Sequence, residues 1–186
     1  FPRRQDTYVD IVKWAVDQLR ASRTPVFHVY SAGKAQEIIR LFNLFTRVVV
    51  VCHPVISRIS ETYRSSGLKL DYLDVETEDG GHALRSGGCI YVTPSAAPLE
   101  ELRRAAYAIV TGWAVRYRPR SVDAAFPLSS HADFIQLMSY VKHARPKQVY
   151  TLYGFQDTLA ELISRKLGVK AQTIAAIGQR KLKEFL

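Results

Sequence analysis

Short β-rich apolar runs alternate with amphipathic helical stretches along this 186-residue chain, and this alternation restricts the fold more than any other feature. The spacing of the apolar residues predicts helices at 7–20, 34–45 and about 54–64. Runs rich in β-branched and aromatic residues predict buried strands at 24–30, 47–52, 89–93 and 107–111. Since this alternation is expected of βαβ units, we predict an α/β fold with a doubly wound, mostly parallel sheet.

The chain after residue 127 repeats the same alternation. We predict a helix at 131–144, a strand at 148–153, a helix at 156–167 that Gly168 ends, and a strand at 169–174. The polar and Gly-rich segment 66–88 predicts a long loop or a poorly ordered insertion, and a short helix is predicted around 99–105.

The composition excludes membrane proteins and disordered chains. Hydrophobic residues make up 47% and charged residues 23%, and no apolar run approaches the roughly 20 residues of a membrane span. We therefore expect a cytoplasmic protein, in which Cys52 and Cys89, inside apolar runs, are buried free thiols. A single asparagine, Asn43, and a single methionine, Met138, are typical of archaeal or other thermophilic proteins.

The net charge favours a polyanionic partner. Lys and Arg total 26 against 17 acidic residues, which gives a charge of +9 and a pI near 9.7. Phosphate neutralisation by such residues releases counterions, so DNA or RNA is the expected partner. The alternative is that the charge only reflects a hot habitat.

The segment 129–134, SSHADF, carries a candidate catalytic histidine. Ser130 as N-cap, with Asp133 three residues later, predicts a capping box, which is a sufficient structural reason for both residues. His131 is then expected in the first helical turn, at the carboxyl edge of a parallel sheet, where functional groups are commonly placed. A proton-transfer role for His131, with Asp133 in support, and a purely structural role both stay open.

The segment YSAGKAQE is not a nucleoside triphosphate loop, because Lys34 is followed by Ala35 instead of Ser or Thr. A strand, a tight turn at Gly33 and a helix N-terminus nevertheless predict a phosphate site formed by Ser31, Gly33 and Lys34. A plain βα turn is the alternative.

Arg116, Arg118 and Arg120 alternate along the segment AVRYRPRS. An extended segment would place these side chains on one side and Tyr117 on the other. This row suits a nucleic-acid backbone, and a solvated edge strand is the alternative.

The histidines do not predict a metal site within this chain, because none stands at paired-ligand spacing with another ligand. They are His28, His53, His82, His131 and His143.

The last residues, QRKLKEFL, show the spacing of a helix that binds in a groove. Gln179, Leu182, Phe185 and Leu186 resemble the sliding-clamp interaction motif, with Leu in place of the last aromatic residue. A terminal amphipathic helix packed on its own domain is the alternative.

Several stretches taken together resemble the β-CASP branch of the metallo-β-lactamase-fold nucleases. They are FPRR, VFHVYSAGKAQEIIRLF, TGWAVRYRP and FPLSSHADFIQLMSYVKHARPKQVYTLYGF. The branch includes archaeal mRNA 3′-end processing nucleases, and SAGKAQE and GWAVR look closest to the ligase-associated DNA exonucleases. The resemblance implies a β-CASP-like α/β lobe at 1–122, the C-terminal part of a metallo-β-lactamase fold at 123–175, and a terminal helix or clamp-binding tail at 176–186.

The resemblance also implies a function. It implies part of a zinc-dependent phosphodiesterase that processes DNA or RNA, with His131 as the general acid and Ser129 and Ser130 beside it at the nucleic acid. The zinc ligands of the family precede the stretch where this chain begins, so zinc is expected in the intact protein and not in these residues alone. Tyr153 stands where RNA-processing members have a metal-ligating histidine. The alternative is a non-catalytic nucleic-acid-binding or scaffold subunit.

Overall fold

A computed structural model describes residues 2–95, 102 and 104–178, and the chain divides into two compact units between His131 and Ala132. The first unit has helices α1 (Arg4–Arg20), α2 (Lys34–Phe45), α3 (Pro54–Ser65) and α4 (Glu78–Ser86). Its strands are β1 (Thr24–His28), β2 (Val49–Cys52), β3 (Leu73–Asp74), β4 (Cys89–Thr93), β5 (Ala105–Val110) and β6 (Ala124–Phe126). The second unit contains α5 (Phe134–Ala144), β7 (Gln148–Thr151), α6 (Gln156–Leu167), β8 (Lys170–Thr173) and α7 (Ala175–Gly178).

The first unit is a six-stranded sheet in the order β3-β2-β4-β1-β5-β6, and every strand pair in it is parallel. Side chains alternate between its two faces. Phe27 and Ile90 belong to the larger core cluster, which α1, α2 and α3 cover. Val26 and Tyr91 pack on the other face with Leu84 of α4. The predicted doubly wound α/β fold is therefore confirmed.

Aromatic packing holds the larger cluster together. Trp14 of α1 meets Phe27 and Phe126 edge-on, with ring centroids 5.6 and 5.8 Å apart, and Phe42 of α2 lies 5.5 Å from Phe27. Phe27 and Phe42 are both fully buried. These contacts join α1 and α2 to the middle of the sheet, next to the point where β1 ends.

The predicted loop at 66–88 is wrong, because this segment contains β3 and α4. The Thr77 side chain accepts a hydrogen bond from the Gly80 N–H at 3.1 Å and so caps α4. A Cβ at Gly80 would overlap the carbonyl oxygen of Asp74. The glycine is thus required by the close packing of a helix on a strand. Local composition alone does not distinguish this requirement from the glycines of a loop. The short helix predicted around 99–105 falls mostly on residues 96–101 and 103, which lie outside the described residues.

The second unit is a parallel β7-β8 pair that packs with α6, and both strands were predicted. Gly168, at a φ of 65°, ends α6 as predicted. In contrast, α5 begins three residues later than predicted. Asp133 is its N-cap, since its carboxylate accepts from the Gln136 N–H at 2.8 Å while the Gln136 side chain accepts from the Asp133 N–H at 2.9 Å. The predicted cap at Ser130 is therefore wrong.

Both cysteines are buried and free, as predicted. Burial raises the pKa of the Cys89 thiol to about 11, and it raises the pKa of Cys52 as well. The two thiols are core groups that stay protonated at neutral pH. Among the described residues, no helix has the length and apolar character needed to cross a membrane.

Candidate functional site

Three of the predicted binding segments leave the six-stranded sheet at one edge. His28, Ile109 and Ala125 are paired across β1, β5 and β6. Neighbouring strands lie ~4.8 Å apart, so this row spans about 10 Å. Because the strands are parallel, the segments that follow them emerge together. We call these segments, 29–34, 111–120 and 127–131, the carboxyl edge.

The turn after β1 is closed by its own hydrogen bonds. Gly33 has a φ of 79°, which favours glycine. Three successive N–H groups donate within the turn, Gly33 to Gln36 Oε1 (2.7 Å), Lys34 to the Ala32 carbonyl (3.0 Å) and Ala35 to the Tyr30 carbonyl (3.1 Å). The Ser31 carbonyl accepts from Gln36 Nε2 at 3.0 Å. This geometry argues against a phosphate cradle, and the plain βα turn accounts for the same residues.

Lys34 takes part in a buried polar cluster instead of facing solvent. Its side chain is 3% exposed, and its Nζ lies 2.6 Å from Glu37 Oε2. The other Glu37 oxygen, Oε1, accepts from the Tyr8 hydroxyl at 2.6 Å and pairs with Arg4 Nη2 at 3.3 Å. We call Arg4, Tyr8, Lys34 and Glu37 the Glu37 cluster. In this position, the Lys34 charge serves Glu37 and not a bound phosphate.

Burial affects the proton equilibria of two members of the Glu37 cluster. It lowers the pKa of Lys34, and the carboxylate of Glu37 opposes this shift only in part. Burial and the hydrogen bond to Glu37 raise the pKa of Tyr8 to about 12. The neutral phenol is favoured in the fold, so Tyr8 contributes stability that is complete below pH 10 and is lost as the pH rises towards about 12.

Arg4 connects the Glu37 cluster to the loop that carries His131. Its Nη2 donates to the Ser129 carbonyl at 2.7 Å, across 125 residues of sequence. The Ser129 hydroxyl in turn accepts from the His131 N–H at 3.1 Å. Ser129 therefore shapes this loop and does not cap a helix.

His131 lies on an exposed loop after β6 and not in a helical turn, since α5 begins at Phe134. The prediction that it stands in the first turn of a helix is wrong, and Ser130 is likewise an exposed loop residue. The reason is that Asp133 and Gln136 form a capping box, which starts the helix at Phe134. His131 nevertheless belongs to the carboxyl edge, as the sequence predicted for a functional group.

The arginine segment is not an extended strand, and that prediction is wrong. Residues Gly112–Val115 form a 3₁₀ turn, and no strand includes residues 116–120. The N–H groups of Arg116 and Tyr117 both donate to the Trp113 carbonyl, at 3.0 Å each, so the chain turns here. All three arginines are exposed, and Arg118 also donates to the Asp123 carbonyl.

Asp123 anchors the chain where the arginine segment returns to the sheet. Its carboxylate pairs with Arg23 Nη2 at 2.8 Å and accepts from the Tyr107 N–H at 2.8 Å. Burial acts to raise the pKa of Asp123, but the hydrogen bonds from Arg23 and from the Tyr107 N–H hold it below its ordinary value. The carboxylate stays ionised, and the segment therefore starts and ends at fixed points.

The remaining predicted residues belong to the second unit. Asp133 is the N-cap of α5, which gives it a structural role there. Tyr153 is 82% exposed and has a φ of 64°, in the turn between β7 and α6. The tail residues Gln179, Leu182, Phe185 and Leu186 lie outside the described residues, and the clamp motif stays a prediction.

The described residues do not fit a zinc centre. Nowhere in 2–95, 102 and 104–178 do three His, Cys, Asp or Glu side chains come together. His28 and His143 are instead hydrogen-bonded to the carbonyls of Pro94 (2.9 Å) and Ser139 (2.7 Å).

Sequence reasoning missed Arg4, Tyr8 and Glu37. A signal was present, since Arg4 and Tyr8 are four residues apart on α1, and Lys34 and Glu37 are three apart on α2. Such spacings put side chains on one helix face. These spacings do not show, however, that α1 and α2 come into contact.

The chain was compared with known proteins. No protein-family profile matches the chain. It is 29% identical over 192 residues to a protein of Opitutus terrae named probable DNA ligase. The alignment covers 98% of this chain but only 18% of that protein.

Proposed function

We propose that this chain is the nucleic-acid-binding lobe of a phosphodiesterase that processes DNA, with His131 as its general acid. The observation that carries the proposal is the carboxyl edge, where the exposed His131 loop and the exposed Arg116 and Arg120 leave one side of a single sheet. The ends of parallel strands are where α/β proteins commonly bind ligands. The name of the Opitutus terrae relative supports DNA as the nucleic acid.

The charge of the chain supports the same proposal. A net charge of +9 attracts a polyphosphate backbone, and guanidinium groups pair with phosphate oxygens in a planar geometry. Arg116 and Arg120 are exposed on the segment that follows β5, next to the segment with His131 in the sheet order. A strand bound along this edge brings a phosphodiester to the histidine.

In the proposed hydrolysis, water attacks the phosphorus while the bond to the leaving oxygen breaks, and His131 would donate a proton to that oxygen. Such general acid catalysis typically contributes about 10²–10⁴-fold to a rate. The proton donor has to be held still, and the bond from Arg4 to the Ser129 carbonyl holds the loop. Arg4 is thus a positioning residue in this proposal.

We also propose a family for this enzyme. The motifs SAGKAQE, GWAVR and SSHADF support a β-CASP nuclease of the ligase-associated kind. We assign no zinc ligand to the described residues, so the zinc of such an enzyme would be bound by other residues of a longer polypeptide.

The test is cleavage of DNA by the longest natural polypeptide that contains this sequence, compared with its His131→Ala variant. We expect roughly a 10²-fold loss or more, because the leaving oxygen is no longer protonated. With a nitrophenyl phosphodiester, whose leaving group needs no proton, the loss should be much smaller. His82→Ala, which removes another exposed histidine of the first unit, is the matched control. Equal activity of wild type and His131→Ala on DNA would contradict the proposal.

A second candidate function, a non-catalytic nucleic-acid-binding subunit, is favoured by Tyr153. A phenol is a weak metal ligand at neutral pH, and this one is 82% exposed at the position where the RNA-processing members of the resembling family carry a histidine. In that case DNA binding should weaken steeply with salt while the longest natural form leaves the DNA intact.

A further inference from the structure

Three large aromatic side chains of the carboxyl edge are exposed to solvent. Tyr30 is 70% exposed, Trp113 is 75% exposed and Tyr117 is 64% exposed. The other tryptophan, Trp14, packs edge-on against Phe27 and Phe126 in the core. The ring of Trp14 therefore packs in the core of the first unit, whereas the three rings of the carboxyl edge face solvent.

The backbone of each edge aromatic is nevertheless held by hydrogen bonds. The Tyr30 carbonyl accepts from the Ala35 N–H at 3.1 Å. The Trp113 N–H donates to Thr111 Oγ1 at 3.4 Å, and the Trp113 carbonyl accepts from the N–H groups of Arg116 and Tyr117. The rings are thus presented from fixed turns, which lowers the entropy cost of binding a flat ligand.

The rings come from neighbouring strands. Tyr30 lies two residues beyond His28 of β1, and Trp113 lies four residues beyond Ile109 of β5, which is paired with His28. His131 follows β6, the next strand in the sheet. The aromatic residues and the candidate general acid therefore belong to the same edge.

The charges beside the rings select the ligand. Arg116 and Arg120 are exposed on either side of Tyr117 in the chain, and the whole sequence carries a charge of +9. Aromatic rings alone would suit an apolar protein surface. Aromatic rings interleaved with arginines instead match a chain of flat bases joined by phosphates. In a duplex the faces of the bases are already covered by their neighbours, so only unpaired bases can stack on these rings.

We propose that Tyr30, Trp113 and Tyr117 form a stacking platform for unpaired bases, with Arg116 and Arg120 along the phosphates of the same strand. This inference deepens the proposed function and rests on it for the direction of the strand towards His131. The ligand class is a single-stranded nucleic acid, held by base faces as well as by charge.

The experiment compares two probes of equal charge on the 186-residue chain. One is a fluorescein-labelled oligothymidylate, and the other is an oligonucleotide of the same length built from abasic sites. Fluorescence anisotropy titrations at one salt concentration give both dissociation constants. We expect wild type to bind the oligothymidylate at least roughly ten-fold more tightly, since each stacked base adds affinity that the abasic probe lacks.

The variants assign that preference to the platform. Trp113→Ala should lose most of the preference for bases while its affinity for the abasic probe stays unchanged, and Trp113→Phe should retain the preference. Phe45→Ala is the matched control, because Phe45 is an equally exposed aromatic residue (68%) at the end of α2. It should behave as wild type.

Two results would overturn the platform. Wild type that binds both probes equally has no stacking contribution, and a Trp113→Ala variant that loses affinity for both probes equally has lost structure or charge contacts instead. Both results leave the test of the proposed function intact, because that test measures cleavage and depends on His131. If His131→Ala cleaves DNA as well as wild type while the preference for bases is retained, the proposed function is contradicted and the platform is not.

Discussion

Helices α2 and α5 are nearly equal in length, 12 and 11 residues, and both repeat apolar residues at helical spacing, yet they differ in burial. In α2, Ile38 and Ile39 are fully buried and Phe42 packs on Phe27 of the sheet. In α5 only Val141 is buried, while Ile135 and Tyr140 are 75% and 73% exposed. The same local pattern thus yields a core helix where a six-stranded sheet covers it, and exposed apolar side chains in the second unit. Burial against a partner surface, and not the pattern itself, sets the contribution to stability.

The largest expected effect is on the core of α2. Phe42→Ala should lower the free energy of unfolding by about 3–5 kcal/mol, because it leaves a cavity beside Phe27. Urea unfolding followed by fluorescence measures this in a Trp113→Phe background, where Trp14 of the first unit is the remaining tryptophan.

The matched variant is Ile135→Ala on α5. It should change the free energy of unfolding by less than about 0.5 kcal/mol, because the side chain is 75% exposed. Equal losses in Phe42→Ala and Ile135→Ala would show that the comparison between the two helices is wrong.

The next effect concerns a buried and an exposed ion pair. Glu37→Gln leaves the Lys34 ammonium, 3% exposed, without its counter-charge, and should cost about 3 kcal/mol of unfolding free energy. Glu161→Gln on α6 removes an i, i+4 pair with Arg165 whose side chains are 68% and 64% exposed, and should cost less than about 0.5 kcal/mol. Both values come from urea unfolding at neutral pH.

Two further readouts distinguish the loss of the ion pair from a general defect. The double variant Lys34→Met/Glu37→Gln should recover much of the loss, since no buried charge is then unpaired. In wild type, the raised pKa of Tyr8, about 12, makes stability fall as the pH rises from 10 towards that value. The fall should be shallower in Glu37→Gln, because the hydrogen bond to the carboxylate is gone. An unchanged pH dependence would contradict the proposed coupling between Tyr8 and Glu37.

The smallest expected effect tests the start of α5. Asp133→Ala removes the N-cap bond to the Gln136 N–H and should lower the stability of this helix by about 1 kcal/mol. Hydrogen exchange of the α5 amides measures the change in the second unit by itself. Ser130→Ala is the control and should leave these amides unchanged. Equal effects of the two variants would restore Ser130 as the cap.

The element types were predictable because their signals are local. Helix α2 begins and ends where the apolar spacing predicted, at Lys34 and Phe45, and β4 spans Cys89–Thr93 as the β-branched run predicted. The Gly-rich segment 66–88 does not show β3 and α4 in its local pattern, because Gly80 is required by its close approach to the Asp74 carbonyl, which depends on the packing of α4 on β3.

Only the location of the candidate site, at one edge of the sheet, could be predicted from the sequence. The parallel order of strands put the segments with Lys34, Arg116 and His131 at one sheet edge. Which side chains face solvent there was not predictable. Lys34 is buried by its ion pair with Glu37, and the arginine segment turns because the Trp113 carbonyl takes two backbone N–H groups.

The sequence by itself determined most of the strands and helices outside the segment 66–88, because the periodicity of apolar residues and local end signals such as Gly168 act over a few positions. Only the tertiary structure decided that Arg4 of α1 holds the Ser129 carbonyl, 125 residues away, and that Trp113 stays outside the core while Trp14 fills it. The physical reason is that a charged group needs a polar partner, and an aromatic ring needs a surface to pack on. That surface is assembled from segments distant in the chain.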